Sequence, residues 1–288
     1  MLSIIGIVCL FVFVFGGYMF AGGNMSVILH ALPHEMIIIG GAAVAAFLIA
    51  NPSYVLKDCG KSIMMTFKGS KWKKKDYTDL LLCLYELLSL HKKEGEQKLE
   101  AEIEKPNDSK IFSKYPKILK DDFALSLIRD YFRGVVTDFK DPHEVEGSLE
   151  EYLEKYIHEK KHSVHALNKV SDGLPALGIV AAVLGVIKTM GSITEPPEVL
   201  GGMIGGALVG TFLGVFLAYG LVGPIAQKIE SYILEDQQFY LVFKKVITTH
   251  LSGKAPQLSI EEGRKAMPSH GQPSFQEMEE LINNMKKG

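Results

Sequence analysis

Cysteine is scarce in this chain, and where it occurs it is badly placed for bonding. Cys9, Cys59 and Cys83 are the only three in 288 residues. They have no metal or redox spacing, and none falls in a segment expected outside the cell, so a disulfide-stapled fold is excluded. Strand periodicity is missing as well. No stretch alternates apolar and polar residues over any length, which excludes a catalytic α/β domain. No Ser/His/Asp or Cys/His constellation has a plausible geometry, so no enzymatic activity is expected. Gly60-Lys61-Ser62 has the ending of a phosphate loop, but Val55 stands where the loop needs its first glycine, and no strand precedes it. His158, His162 and His165 have helical spacing, yet they sit among Glu159, Lys160 and Lys161 on a solvated face. Neither a metal nor another cofactor is expected.

Charge is missing in a patterned way. The net charge is −2 and mean hydropathy is +0.15, but Leu2–Phe20, Met36–Leu56, Leu174–Ile187 and Val199–Gln227 hold no charged residue. About 20 apolar residues cross a bilayer as a helix. The first, second and fourth stretches meet that length directly, and the third meets it if Lys188 snorkels to the headgroups. Leu2–Phe20 lacks a basic leader and a small-residue cleavage site, so it reads as a retained span and not a signal peptide. The links Ala21–Glu35 and Gly191–Glu198 contain no Lys or Arg. Lys57, Lys61, Lys68 and the run Lys71–Lys75 follow the second span, and Lys228 follows the fourth. The positive-inside rule then puts both termini and the central region in the cytoplasm. Just inside a span, the lysine run marks topology and contacts anionic lipid; it is not a nucleic-acid patch.

What is present between the spans is helical. Lys75–Glu94 repeats apolar residues at three and four and stops at Gly95, and a shorter helix near Gln97–Glu104 ends before Pro106. Pro116–Val136 reads as a third amphipathic helix. Ser148 and Glu151 form a capping box opening a segment through Lys169. Lys228–His250 continues the fourth span, and the Gly/Pro-rich tail has one weak helix near Phe275–Lys287. The expected fold is an all-α integral membrane protein with four transmembrane helices and a helical cytoplasmic domain inserted between the second and third. Its parts are residues 1–56 (two spans), 57–172 (cytoplasmic helices), 173–227 (two spans) and 228–288 (helix and tail).

Two features of the spans point toward function. In GGMIGGALVGTFLGVFLAYG, Gly202, Gly206, Gly210 and Gly214 recur every four residues, a ridge that lets another helix, of this chain or of a second subunit, approach closely. The spans also carry no Asp or Glu, while a self-sufficient ion pathway needs a titratable group at depth. Either nothing is transported or the acid arrives on a partner helix. Pro175 and Pro224 lie at the inner ends of the third and fourth spans, where each frees carbonyls and permits a bend.

The segments SDGLPALGIVAAVLGV, VGTFLGVFLAYGLVGPIA and GRKAMPSHGQPSFQEMEE, with MLSIIGIV…FGGYM at the start, strongly resemble the MotA family, the A subunits of flagellar motor stators. The resemblance covers nearly the whole chain. It implies a homo-pentamer around two copies of a B subunit whose single span carries the ion-binding aspartate. That subunit anchors to peptidoglycan, and ion flow turns the A ring against the rotor switch protein. Carried over by position, Pro175 and Pro224 match the family's two functional prolines, and alignment on Asp79 and Pro106 puts the charged rotor contacts at Lys92 or Lys93 and at Glu100. Ala182 stands where sodium-driven relatives have a threonine hydroxyl, which implies a proton motor; Thr211 is the one hydroxyl midway along the fourth span. Energising subunits of the ExbB/TolQ kind also gather around an acid-bearing helix, but they have three spans. A self-contained channel is disfavoured by the missing carboxylate.

Overall fold

The computed structural model describes residues 2–136 and 141–287, and every regular element among them is a helix. Besides a 3-10 turn at Phe112–Lys114, these are in chain order α1 Leu2–Phe20, α2 Met25–Ala50, α3 Ser53–Lys68, α4 Lys74–Glu94, α5 Glu96–Glu104, α6 Pro116–Leu119, α7 Asp122–Val136, α8 Pro142–Met190, α9 Pro197–Leu251, α10 Pro256–Lys265 and α11 Phe275–Lys287. Four of them, α1, α2, α8 and α9, are long and apolar enough to cross a membrane. The chain is a multi-pass, all-α membrane protein with a long helical region between its second and third spans. It divides into two compact units, one built from residues up to Gly69 with His158–Ile233, the other from Ser70–Ile157 with Leu234–Gly288.

In the first unit the helices start and stop where local chemistry dictates, and this corrects two expectations. The link after α1 is only Ala21–Asn24, because the Asn24 side chain accepts the Ser26 N–H at 2.9 Å and caps a helix that begins at Met25. Pro33 is carried inside α2. The second span therefore includes Glu35, and the spans are not free of acid. At its other end Asn51 is extended, at φ −126° and ψ 138°, as a residue before proline must be, so α2 closes at Ala50 and not at Leu56. Large apolar side chains such as Leu2, Phe13, Ile37, Ile49 and Ile187 are left exposed, a surface suited to lipid or to other membrane helices.

The second unit is a helical core around α4. Leu80, Leu81, Leu84, Leu87 and Leu88 are all buried, and α5 lays Leu99 and Ile103 against the same core. Gly95 separates α4 from α5 at φ +81°, a left-handed turn that favours glycine. Three expectations are corrected here. The predicted helix Pro116–Val136 is two, because the Asp121 carboxylate accepts the Ala124 N–H at 2.8 Å and starts α7 afresh. The helix through Lys169 opens at Pro142, behind Asp141, which accepts the His143 N–H at 2.8 Å; Ser148 and Glu151 lie inside it. The tail also holds α10, which its Gly/Pro content concealed, with Ile260 fully buried.

The lysine run is tied into this unit. Lys71 pairs with Asp121, and Trp72 is buried with its ring stacked on Phe239, 3.8 Å between centroids and 6° between planes. Asp236 fastens the segment to α9: one carboxylate oxygen accepts the Ser70 hydroxyl at 2.9 Å and the backbone N–H groups of Lys71 and Trp72 at 2.9 and 3.2 Å. Burial pushes the Asp236 carboxyl above its ordinary range, against the lowering effect of those three donors. Asp236→Ala leaves all three donors without their acceptor and should destabilise the unit by about 1–3 kcal/mol. Asp236→Asn keeps an acceptor oxygen and should lose much less. Thermal unfolding of both variants in detergent checks the order, which equal losses would contradict.

Candidate functional site

The site lies where α2 meets the membrane halves of α8 and α9. Those halves touch backbone to backbone. A Cβ added at Gly178 would lie 2.8 Å from the Gly210 carbonyl oxygen, and one at Gly214 would lie 2.6 Å from the Leu174 carbonyl and 2.9 Å from Gly178 Cα. Higher along the same seam, a Cβ at Gly185 would meet Ala207 Cβ at 2.6 Å. The expected ridge is therefore divided between neighbours. Gly214 packs on α8. Gly206 turns to α2, where a Cβ would make ordinary contact with Ala31 at 3.8 Å, and Gly210 faces both helices. Gly202 faces open space, with nothing within 4 Å.

At Gly210 the three helices converge on Glu35. A Cβ there would lie 2.6 Å from Glu35 Oε2 and 3.2 Å from Ala181 Cβ, so the carboxyl occupies the room a side chain would need. Glu35 is 7% exposed, and Oε2 has no hydrogen-bond partner among the described residues. Sequence reasoning missed this residue by starting the span after it. The signal lay in Asn24, a good N-cap eleven residues upstream with only Pro33 to argue against helix between them. Ala181 is fully buried at the seam, whereas Ala182 and Thr211 are half-buried and each lies one residue beyond it, about 100° around its helix. The Thr211 hydroxyl has no partner among the described residues; Thr189, by contrast, donates back to the Gly185 carbonyl at 2.9 Å.

The two prolines behave differently. Pro175 is half-buried inside α8, which continues helically through it. Pro224 is exposed and follows a π-helical stretch, Phe216–Val222, whose wider turn leads into the proline. In that stretch the Gly223 N–H bonds to the Ala218 carbonyl, which also accepts the buried Ser171 hydroxyl at 2.9 Å. Ser171 is the residue whose own carbonyl loses its helical donor to Pro175. One hydrogen bond thus joins the two proline regions.

Lys92, Lys93 and Glu100 are in the second unit, all exposed on either side of Gly95, and none forms an ion pair with a described residue. His158 and His162 stack edge to face at 5.0 Å, and among the described residues no three His, Cys, Asp or Glu side chains converge as metal ligands would.

Comparison with known proteins decides the family. The family model described as "Motility protein A N-terminal" matches residues 4–95, and that of the "MotA/TolQ/ExbB proton channel family" matches residues 117–239. Over 286 residues the chain is 37% identical to Motility protein A of Salmonella typhimurium, covering 99% of this chain and 96% of that one; Motility protein A of Escherichia coli K12 gives the same figures. This chain belongs to the Motility protein A family. It is also 33% identical to Chemotaxis protein LafT of Vibrio parahaemolyticus over 282 residues, 98% of each chain. Two solved structures share the fold: C. jejuni MotAB (TM-score 0.73, 20% identity, 93% of this chain and 95% of that one) and the flagellar MotAB stator complex of Bacillus subtilis (0.70, 24%, 90% and 92%).

Within this family member the division of the ridge makes a prediction. Gly214→Leu drives a side chain into the α8 backbone, an overpacking that costs about 1–3 kcal/mol or more, and should lower the amount of folded chain in the membrane. Gly202→Leu should leave folding unchanged. If Gly202 packs a neighbouring subunit, oligomer size in detergent will fall while the chain itself stays folded. Equal loss of folded chain in both variants would contradict the division.

Proposed function

We propose that this chain is the A subunit of a flagellar motor stator, which conducts ions together with a B subunit and converts the flow into rotation of the rotor. The observation that carries the reading is identity above a third with Motility protein A along essentially the entire chain. The names of the related structures, both of MotAB, support a B-type partner in the same assembly, and a pentameric ring of A subunits around that partner follows from the resemblance. The partner's single span supplies the ion-binding aspartate. The subunit sits in the bacterial inner membrane with both termini in the cytoplasm, as the lysines after the second and fourth spans favour.

In this reading Pro175 and Pro224 are the bending points of the two ion-facing helices, and the Ser171–Ala218 hydrogen bond makes a movement at one felt at the other. The coupling ion is the proton. Ala182 offers no oxygen where a sodium ion would need a ligand, and a proton requires only a titratable carboxylate and a connected polar path, to which the Thr211 hydroxyl, without a partner among the described residues, can contribute. Lys92 or Lys93 with Glu100 contacts the rotor switch protein. Their exposure and freedom from ion pairs suit an intermolecular contact, and lysine brings the charge without the bidentate fork of arginine.

Two measurements test this. In a strain lacking its own stators and supplied with this chain and its B subunit, single reversal of Lys92 or Glu100 should weaken swimming by less than about 1 kcal/mol of contact free energy. Reversal of both should nearly stop it, with partial recovery by opposite reversals on the rotor. Wild-type torque in the double reversal excludes these positions. Swimming should stop with a proton uncoupler and persist without external sodium; the opposite pattern overturns the choice of ion.

A further inference from the structure

The outer half of the first unit holds a cavity of about 420 Å³ between α2, α8 and α9, with several polar side chains in a largely apolar lining. Ser26, His30, His34, Glu35, Lys188 and Thr189 are its polar lining residues. Its mouth is at helix ends. Ser26 is the second residue of α2, and Lys188 and Thr189 are in the last turn of α8. Glu35 lies ten residues into α2, about 15 Å along the helix from Met25. The cavity thus leads from an end of the membrane unit to one buried carboxyl at depth.

The chemistry along this path suits protons. His30 Nδ1 is 2.7 Å from the Ser26 carbonyl. A carbonyl only accepts, so Nδ1 carries the hydrogen and Nε2 is free to take a proton from water. Glu35 Oε2, buried and unpartnered, is held over Gly210 beside Ala181, one residue from Thr211 and one from Ala182. Carboxyls inside membrane spans are rare, and those retained face cavities and mark ion paths. Here the glycine makes room for the buried Oε2, and the Glu35 side chain also borders the cavity.

We propose that Glu35 and the vestibule above it form a proton relay built into the A subunit. A proton enters from the outer side, passes vestibule water and the rim histidines, is taken up by the Glu35 carboxylate, and is released intact toward the partner's acid. The charged and titratable groups facing the path are His30, His34, Lys188 and Glu35, from α2 and α8; α9 contributes none. The inference rests on the stator reading and extends it: the pathway uses a carboxyl of this chain in addition to that of its partner.

The test uses the complex with its B subunit in cells lacking other stators, reading swimming speed and proton influx with a cytoplasmic pH reporter. Glu35→Gln keeps the shape of the side chain and cannot hold a transferable proton. It should assemble at wild-type size yet lower influx about ten-fold or more, and Glu35→Asp should restore part of it. Wild-type influx in Glu35→Gln overturns the relay. Should Glu35→Gln fail to assemble, Lys188→Glu decides, since Lys188 is exposed at the rim. Reversing its charge should raise influx several-fold at low ionic strength by concentrating protons at the mouth; unchanged influx there also overturns the proposal. A wild-type complex without any proton influx refutes the stator reading, and the relay with it, whereas influx undiminished by Glu35→Gln refutes the relay alone.

Discussion

The close approach of two helix backbones at Gly178, Gly210 and Gly214 is the constraint from which the rest of the membrane unit follows. In lipid, apolar side chains gain little by leaving their surroundings, so helices associate through packing contacts. Contacts between glycines bring the α8 and α9 backbones close enough that a Cβ on either side would collide with a carbonyl or a Cα. That closeness leaves a shallow trough at Gly210, flanked by the fully buried Ala181, and only a trough of that depth admits a third helix bearing a carboxyl. The position of Glu35 therefore depends on glycine packing between two other helices as well as on the Asn24 cap that begins its own helix.

The same closeness explains the treatment of the two prolines. Each deprives a carbonyl of its helical donor, and in lipid an orphaned carbonyl is costly. At Pro224 the cost is spread over a π-helical stretch, in which the Gly223 N–H reaches back five residues to Ala218. At Pro175 the helix simply continues, and Ser171, four residues earlier, sends its hydroxyl across the seam to that same Ala218 carbonyl. A carbonyl that accepts from its own helix and from its neighbour joins the regions where both helices are easiest to bend. The two proline regions are thereby tied to a single acceptor.

Legibility in the sequence followed the strength of local signals. Long apolar runs announced four spans, and helix periodicity ending at Gly95 announced α4 almost to the residue, because both patterns repeat over many positions. The failures were at boundaries set by single side chains. Asp121 splits one amphipathic pattern into α6 and α7, and Asp141, not Ser148, opens α8; a capping carboxylate is visible in a sequence only when the helix start is already known. Glu35 was lost for a related reason: charge was read as a mark of the link, whereas a helix that buries it against glycine tolerates one acid. The ridge was legible as a ridge, but its division between α2, α8 and open space depends on the rotation of α9, which periodicity alone does not fix.

The second unit shows how a highly charged surface can keep a few charges available. Lys114 pairs with Glu86, Arg129 and Arg133 with Glu104, Lys117 with Asp76 and Lys71 with Asp121, so many cations near the core are already committed. Lys92 and Glu100 carry opposite charges only eight residues apart, a separation that a continuous helix would span in just over two turns. The left-handed turn at Gly95 breaks that helix, and the burial of Leu99 and Ile103 fixes which face of α5 looks inward. Opposite charges held on separate helices and exposed to solvent remain free to meet charges on another molecule. An exposed pair contributes little to folding in any case, so leaving these residues unpaired costs the fold almost nothing while keeping both available to a partner.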